Sequence, residues 1–103
     1  MSMLTTPDIE AEALLEKVAE TLCISEEDAL REGLRTLLAR KLREVQSDIF
    51  EITGRYDVGS VEEMEARYRE GTLEEATTWR DLQTLDRLEY QRDRLRELLD
   101  LLP

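Results

Sequence analysis

The residues of this chain best able to do chemistry are adjacent glutamates and a single cysteine. Glu62 with Glu63, and Glu74 with Glu75, are carboxylates of the kind found in di-metal sites of helical bundles. Those sites also need a Glu-x-x-His pair, and the sequence contains no histidine. Cys23 has no histidine to activate it, and we expect its thiol to be buried. We therefore predict no catalytic residue, metal site or cofactor, and expect that the protein is not an enzyme.

Basic side chains are concentrated in one part of an otherwise acidic chain. Residues 29–45 carry five bases and two acids, a charge of 5 − 2 = +3. Such a segment could contact nucleic-acid phosphates, which would give affinity without sequence specificity. The alternative is that these side chains neutralise acids along the same helix. The five candidate phosphate contacts are Arg31, Arg35, Arg40, Lys41 and Arg43.

Aromatic side chains are few, and most lie in the second half of the chain. Their simplest role is to fill the core, but aromatic residues are also enriched at binding hot spots because they bury much area at low entropic cost. We predict that a partner protein contacts an aromatic and leucine set consisting of Tyr68, Trp79, Leu82, Leu85 and Tyr90.

The composition limits the class of protein. The chain has 103 residues, 25 acidic and 14 basic side chains, and a net charge of −11. So short a chain buries only a small core, and we expect a second copy or a partner to complete it. The acidic surplus is typical of a halophilic archaeal protein, because concentrated salt screens the repulsion between carboxylates. No long apolar run or signal-peptide pattern is present, so we expect a soluble protein of the cytoplasm.

Helix-start signals predict an all-α fold of four helices. Ser25 with Asp28, Ser60 with Glu63 and Thr72 with Glu75 have the spacing of helix caps, and Thr6 before Pro7 marks an earlier start. Gly71 is expected to end the third helix, and the segment Gly54 to Gly59 to end the second and reverse the chain. The predicted helices span about 7–22, 26–54, 60–70 and 73–102.

The second helix carries an apolar stripe that continues for its whole length. Apolar residues recur every three or four positions, and a helix of this length would extend to roughly 40 Å, too far for one small core to cover. We therefore predict a helical-bundle homodimer. Its predicted dimer contacts are Leu30, Leu34, Leu37, Leu38, Leu42, Val45, Ile49 and Ile52.

The first two helices resemble the two-helix half of ribbon-helix-helix proteins and VapB-like antitoxins, over residues 8–42. The acidic helix start is formed by Ser25, Glu26 and Glu27. The face that matches the family's dimer surface is formed by Ala29, Leu30, Gly33, Leu34, Leu37 and Leu38. In that family paired N-terminal strands read DNA, but MSMLTT at this position has no side chain suited to base edges. The remainder of the chain is similar in layout to small archaeal antitoxin-like proteins.

These resemblances imply a dimerisation half, residues 1–57, and a C-terminal helical arm, residues 58–103, that embraces a small toxin-like protein. An acidic arm with aromatic anchors could occupy the basic cleft of such a partner. Two alternatives remain open at this point. The protein could be a DNA-binding regulator of the ribbon-helix-helix type, or a structural helical dimer scaffold.

Overall fold

The computed structural model describes residues 9–103, and every regular element within that range is an α-helix. The predicted all-α fold is therefore confirmed, and the described part of the chain contains no strand. The four helices are α1 (Ala11–Leu22), α2 (Glu26–Tyr56), α3 (Val61–Glu70) and α4 (Glu75–Leu101).

The first helix begins later than its sequence pattern indicated. Glu10 is extended and stands before α1 without a side-chain cap, and the predicted cap Thr6 lies outside the described residues. At the other end Cys23 has a left-handed backbone with φ of 58°. The Ile24 amide donates to the Ala19 carbonyl, which is the Schellman ending of a helix. Cys23 is exposed, so the expected burial of its thiol is wrong.

The second helix begins where the sequence predicted and ends two residues later. The Asp28 amide donates to the Ser25 hydroxyl at 2.9 Å, which confirms the cap. Gly54 lies inside α2, so glycine does not end this helix. The ending is made by Asp57, whose φ is 53°, and by Val58, whose amide donates to the Thr53 carbonyl.

The caps predicted for the last two helices had different outcomes. The Glu63 amide donates to the Ser60 hydroxyl at 3.1 Å, and Gly71 ends α3 with φ of 75°, as predicted. Thr72 does not cap α4, because its hydroxyl accepts from Arg67 Nε at 3.1 Å. The residue before α4 is Glu74, which makes no side-chain cap.

The chain divides into two compact units at Thr36 and Leu37, within α2. We call residues 9–36 the N-terminal unit, since these are its described residues, and Leu37–Pro103 the C-terminal unit. The predicted boundary between 57 and 58 therefore falls inside the C-terminal unit. Within residues 9–36 the one buried side chain is Ala19. The C-terminal unit has its own core, formed by Val45, Ile49, Ile52, Val58, Met64, Leu85 and Leu88.

Polar contacts join the three helical segments of the C-terminal unit. Arg67 Nη1 donates to the carbonyl of Tyr56 at 2.7 Å, so α3 satisfies a backbone acceptor at the end of α2. The amide of Val61 donates to the carboxylate of Glu89 at 3.0 Å, which joins the start of α3 to α4. These bonds hold α4 in a defined position against the rest of the unit.

Candidate protein-interaction surfaces

The N-terminal unit exposes an apolar surface formed by both of its helical segments. Leu14 and Val18 of α1 and Leu30 of α2 together line a hollow of about 470 Å³. Val18 also lines a second hollow of about 400 Å³, together with Leu22. We call Leu14, Val18, Leu22 and Leu30 the N-terminal face, and these side chains are 50%, 39%, 57% and 51% exposed.

The predicted dimer contacts of α2 fall into two groups. Leu30, Leu34 and Leu37 are exposed, and Leu38 and Leu42 are half-buried. The other three contacts require correction, because they lie in the core of the C-terminal unit and are at most 9% exposed. They are Val45, Ile49 and Ile52. The apolar residues whose heptad spacing suggested a partner helix pack instead with residues of α3 and α4 of the same chain.

The basic side chains of α2 are largely paired with acids of the same helix. Arg31 lies 3.5 Å from Glu27 and 4.0 Å from Asp28. Arg40 and Lys41 both approach Glu44, at 4.0 and 3.4 Å. Arg35 also has an interaction partner. Arg43 is exposed. This pattern favours neutralisation along the helix over phosphate contact.

The predicted partner-binding residues separate into buried and exposed side chains. Leu85 is 0% exposed, which removes it from any surface, and Leu82 packs against the core. Tyr68 is half-buried and its hydroxyl lies 2.7 Å from the Thr78 hydroxyl. Trp79 and Tyr90, by contrast, are 41% and 66% exposed. The structure therefore leaves two of the five predicted side chains accessible and uses the others for packing.

Trp79 and Tyr90 lie on the same side of α4. They are eleven residues apart, which is three helical turns or about 17 Å along the axis. Leu101 follows after another eleven residues and is 77% exposed. Leu88, which is buried, lies half a circumference away from Trp79. Leu101 is missing from the partner-binding set that the sequence predicted, although its spacing of eleven residues from Tyr90 could have identified it.

Acidic residues separate these three side chains. Four exposed acids lie within about 40° of the direction of Trp79 around the helix axis, and they are Glu75, Asp86, Asp93 and Glu97. The five arginines of α4 all lie about 60° or more from that direction. Two of them make ion pairs with acids of the face, Arg92 with Asp93 at 3.0 Å and Arg94 with Glu97 at 2.6 Å. We call Trp79, Tyr90, Leu101 and these four acids the α4 outer face.

A groove of about 580 Å³ runs beside this face, between α2 and α4 of the C-terminal unit. Its floor includes the apolar side chains of Val45, Ile52, Leu88 and Leu95. Charged residues from both helices form its rim, and Tyr90 lies at the edge that adjoins the α4 outer face. The groove is therefore continuous with the outer face through Tyr90.

Arg55, Tyr56 and Asp81 form a cluster of polar side chains with shifted pKa values. The hydroxyl of Tyr56 donates a hydrogen bond to the Asp81 carboxylate, and this bond lowers the pKa of Asp81. Arg55 lowers the pKa of Asp81 further, because its Nη1 lies 2.7 Å from the same carboxylate oxygen. The same bond raises the pKa of Tyr56, because the hydroxyl proton is held by the carboxylate. The cluster joins the end of α2 to α4.

No group of three or more side chains among residues 9–103 is arranged to hold a metal ion. None of the four helices combines the length and the apolar character required to cross a lipid bilayer.

Comparison with known proteins corrects the resemblance drawn from the first two helices. The comparisons with curated proteins and with solved structures gave no match. A family pattern does match the chain, over residues 3–102, and it is neither a ribbon-helix-helix nor a VapB-like antitoxin pattern. The resemblance was misleading because a capped amphipathic helix satisfies many families equally well. Since the match covers nearly the whole sequence, the chain belongs to the uncharacterized protein MJ0235 family.

Proposed function

We propose that this protein is a homodimeric interaction module that binds and masks a small partner protein, in the way that an antitoxin masks a toxin. The proposal does not rely on the ribbon-helix-helix resemblance, which the family assignment replaces. It is carried by one observation, the exposure of the N-terminal face in a unit whose described residues bury only Ala19.

The energetics of the N-terminal face favour a protein surface as its cover. Fully burying a valine or leucine side chain contributes about 1.5–3 kcal/mol. Four such side chains, each about half exposed, leave roughly 3–6 kcal/mol per chain that a partner surface could supply. Two helices with one buried alanine have no comparable source of stability of their own. The face therefore needs a cover that is itself apolar.

A second copy of the chain is the simplest cover. In a two-fold dimer the same surface serves both copies, so the leucine stripes of α1 and α2 would meet their counterparts. The hollows beside Leu14 and Leu22 could then receive leucines of the other copy. The acids of the unit would approach one another in this arrangement, so added salt should favour the dimer.

The C-terminal unit supports the partner-binding half of the proposal. It has its own core and does not need a dimer to form it, yet it exposes Trp79 and Tyr90. A purely structural dimer scaffold, the alternative, has no use for exposed aromatic side chains. It would be favoured if removal of those aromatic side chains changed no measurable interaction.

Light scattering at micromolar concentration, in buffers from low to molar salt, tests the dimer. We expect twice the chain mass for the wild type and the monomer mass for Leu30→Glu, because an unpaired charge would enter the apolar interface. Phe50→Glu is the matched control, since Phe50 is 76% exposed and lies outside the N-terminal face. A monomeric wild type in molar salt, or a Leu30→Glu variant that remains dimeric, would contradict the dimer.

Co-expression with the product of the adjacent gene tests partner binding. We expect the two proteins to elute together and the activity of the neighbour to fall when the wild type is present. Substitution of both Trp79 and Tyr90 by alanine should weaken this association, and Phe50→Ala should not. Separate elution at every salt concentration would remove the neighbour as the partner.

A further inference from the structure

The α4 outer face has a composition that specifies the chemistry of its partner. Its three large side chains, Trp79, Tyr90 and Leu101, are spaced by three helical turns, and the four acids lie between and around them. The arginines of the same helix are placed to its sides. Apolar anchors and one sign of charge are thus combined on one side of a helix whose opposite side is buried.

We propose that the α4 outer face binds a cationic protein surface that offers apolar recesses at matching intervals. This inference rests on the proposed function, and it assigns the partner's chemistry and the residues that receive it. Burial of aromatic side chains would supply most of the affinity. The acids would attract basic side chains of the partner and speed the encounter between the two proteins.

The charge of the face opposes two other occupants. A second α4 outer face would bring like charges together at short range, which opposes association. A nucleic acid would present phosphates to the same carboxylates. The arginines beside the face are already engaged, Arg80 with the ring of Trp79 and Arg92 and Arg94 with acids of the face. The adjoining groove extends the site, since Tyr90 lies at its rim and its floor is apolar.

Not all of the negative charge on the face is available to a partner. Asp93 and Glu97 are in ion pairs with Arg92 and Arg94, whereas among the described residues Asp86 has no ion pair within 4.0 Å. Exposed ion pairs of this kind are weak and can be exchanged for pairs with a partner's lysines. Asp86 lies between Trp79 and Tyr90 in the sequence and should make the strongest electrostatic contribution.

The inference can be tested with a labelled amphipathic peptide of leucine and lysine that forms a helix with all its leucines on one side. Fluorescence anisotropy measures the binding of this peptide to the full-length protein. A lysine-only peptide of equal charge reports attraction by net charge alone. We expect the wild type to bind the amphipathic peptide more tightly than the lysine-only peptide. Double-stranded DNA should not bind to the face.

Two matched pairs of variants locate the binding. The double variant Trp79→Ala, Tyr90→Ala should bind the amphipathic peptide about ten-fold more weakly than the wild type, a loss of about 1.4 kcal/mol. Its control, Phe50→Ala, should bind the peptide within about two-fold of the wild-type affinity. The double variant Asp86→Lys, Glu97→Lys should weaken peptide binding more than its control does. The control is Glu65→Lys, Glu70→Lys, which makes the same charge change at exposed positions of α3. Circular dichroism of each variant checks that the helices remain.

The inference is overturned if the aromatic variants bind as the wild type does, or if both charge reversals weaken binding equally, because net charge would then explain the affinity. Binding of DNA that depends on Trp79 and Tyr90 would also overturn it. Light scattering on the same samples separates this result from the dimer. A monomer that still binds the peptide through the face contradicts only the dimer, and a dimer that does not bind contradicts only the present inference.

Discussion

The hydroxyl of Tyr56, in the last turn of α2, donates a hydrogen bond to the carboxylate of Asp81 in the second turn of α4. Arg55 Nη1 donates to the same oxygen at 2.7 Å. One carboxylate of α4 thus accepts hydrogen bonds from two consecutive side chains of α2. The backbone of this helix end is also held, through the bond from Arg67 to the Tyr56 carbonyl. Side-chain hydrogen bonds therefore hold the end of α2 to both α3 and α4.

Replacement of Tyr56 by phenylalanine should destabilise the protein by about 1 kcal/mol near neutral pH, because a hydrogen bond to a charged acceptor is lost in a partly exposed position. Urea unfolding of wild type and variant in the same salt measures the difference. Tyr90→Phe is the matched control, since the Tyr90 side chain is exposed and its loss of a hydroxyl should have little effect. Equal losses in the two variants would show that the Tyr56 bond has no special contribution.

The stability difference due to Tyr56 should depend on pH with a defined sign. The pKa of Asp81 is lowered in the folded protein, so its contribution is present above the unfolded value near 3.8 and is lost as the pH falls through the folded value. The pKa of Tyr56 is raised, so its contribution is present below the unfolded value of 10.0 and is lost as the pH rises through the folded value. The wild type and Tyr56→Phe should therefore converge in acid and in strong alkali. A difference that is constant from acid to alkali would contradict this assignment.

Arg67→Ala should destabilise the C-terminal unit by about 1–2 kcal/mol, because one guanidinium joins two chain segments through charge-assisted hydrogen bonds. Its donors reach the Tyr56 carbonyl at 2.7 Å and the Thr72 hydroxyl at 3.1 Å. Arg69→Ala removes an exposed arginine from the same helix and serves as the control. Denaturant midpoints that shift equally for both variants would show that only net charge was changed.

Cys23→Gly should stabilise the protein by about 1 kcal/mol. Cys23 has φ of 58°, a left-handed conformation that costs a side-chain-bearing residue about 1–2 kcal/mol and costs glycine almost nothing. Cys23→Ala separates this backbone effect from loss of the thiol, because alanine keeps the conformational cost. Thermal unfolding followed by circular dichroism should give a higher midpoint for glycine than for alanine. The same midpoint for both would mean that the helix end relaxes without cost.

The proposed dimer should tighten as salt is added. Residues 9–36 carry eight acids and three bases, a charge of 3 − 8 = −5, and two copies placed together repel each other in dilute buffer. Salt shortens the range of this repulsion to roughly 3 Å at 1 M while leaving the burial of leucine intact. Sedimentation equilibrium across a salt series should show a falling dissociation constant. A dissociation constant that rises with salt would instead indicate attraction between opposite charges.

The sequence by itself determined the helices and most of their limits. Ser25 and Ser60 act as caps and Gly71 ends α3 as predicted. These features depend on side chains and amides within one helical turn, so they can be recognised from a short stretch of sequence. The cap predicted at Thr72 was wrong, because a side chain of the preceding helix binds its hydroxyl. Thr72 bonds to Arg67 and is not the cap of α4.

Only the tertiary structure decided which apolar residues face the core and which face outward. The α2 stripe looks uniform in sequence, yet Leu30 is 51% exposed and Ile52 is 6% exposed. Likewise Trp79 and Leu85 belong to one apolar series along α4, but only Leu85 is enclosed. An amphipathic pattern indicates that the apolar side of a helix will be buried. Which element buries it depends on where the turns direct the following helices. Within the C-terminal unit the return of the chain, made by α3 and α4, encloses Leu85 and leaves the α4 outer face exposed.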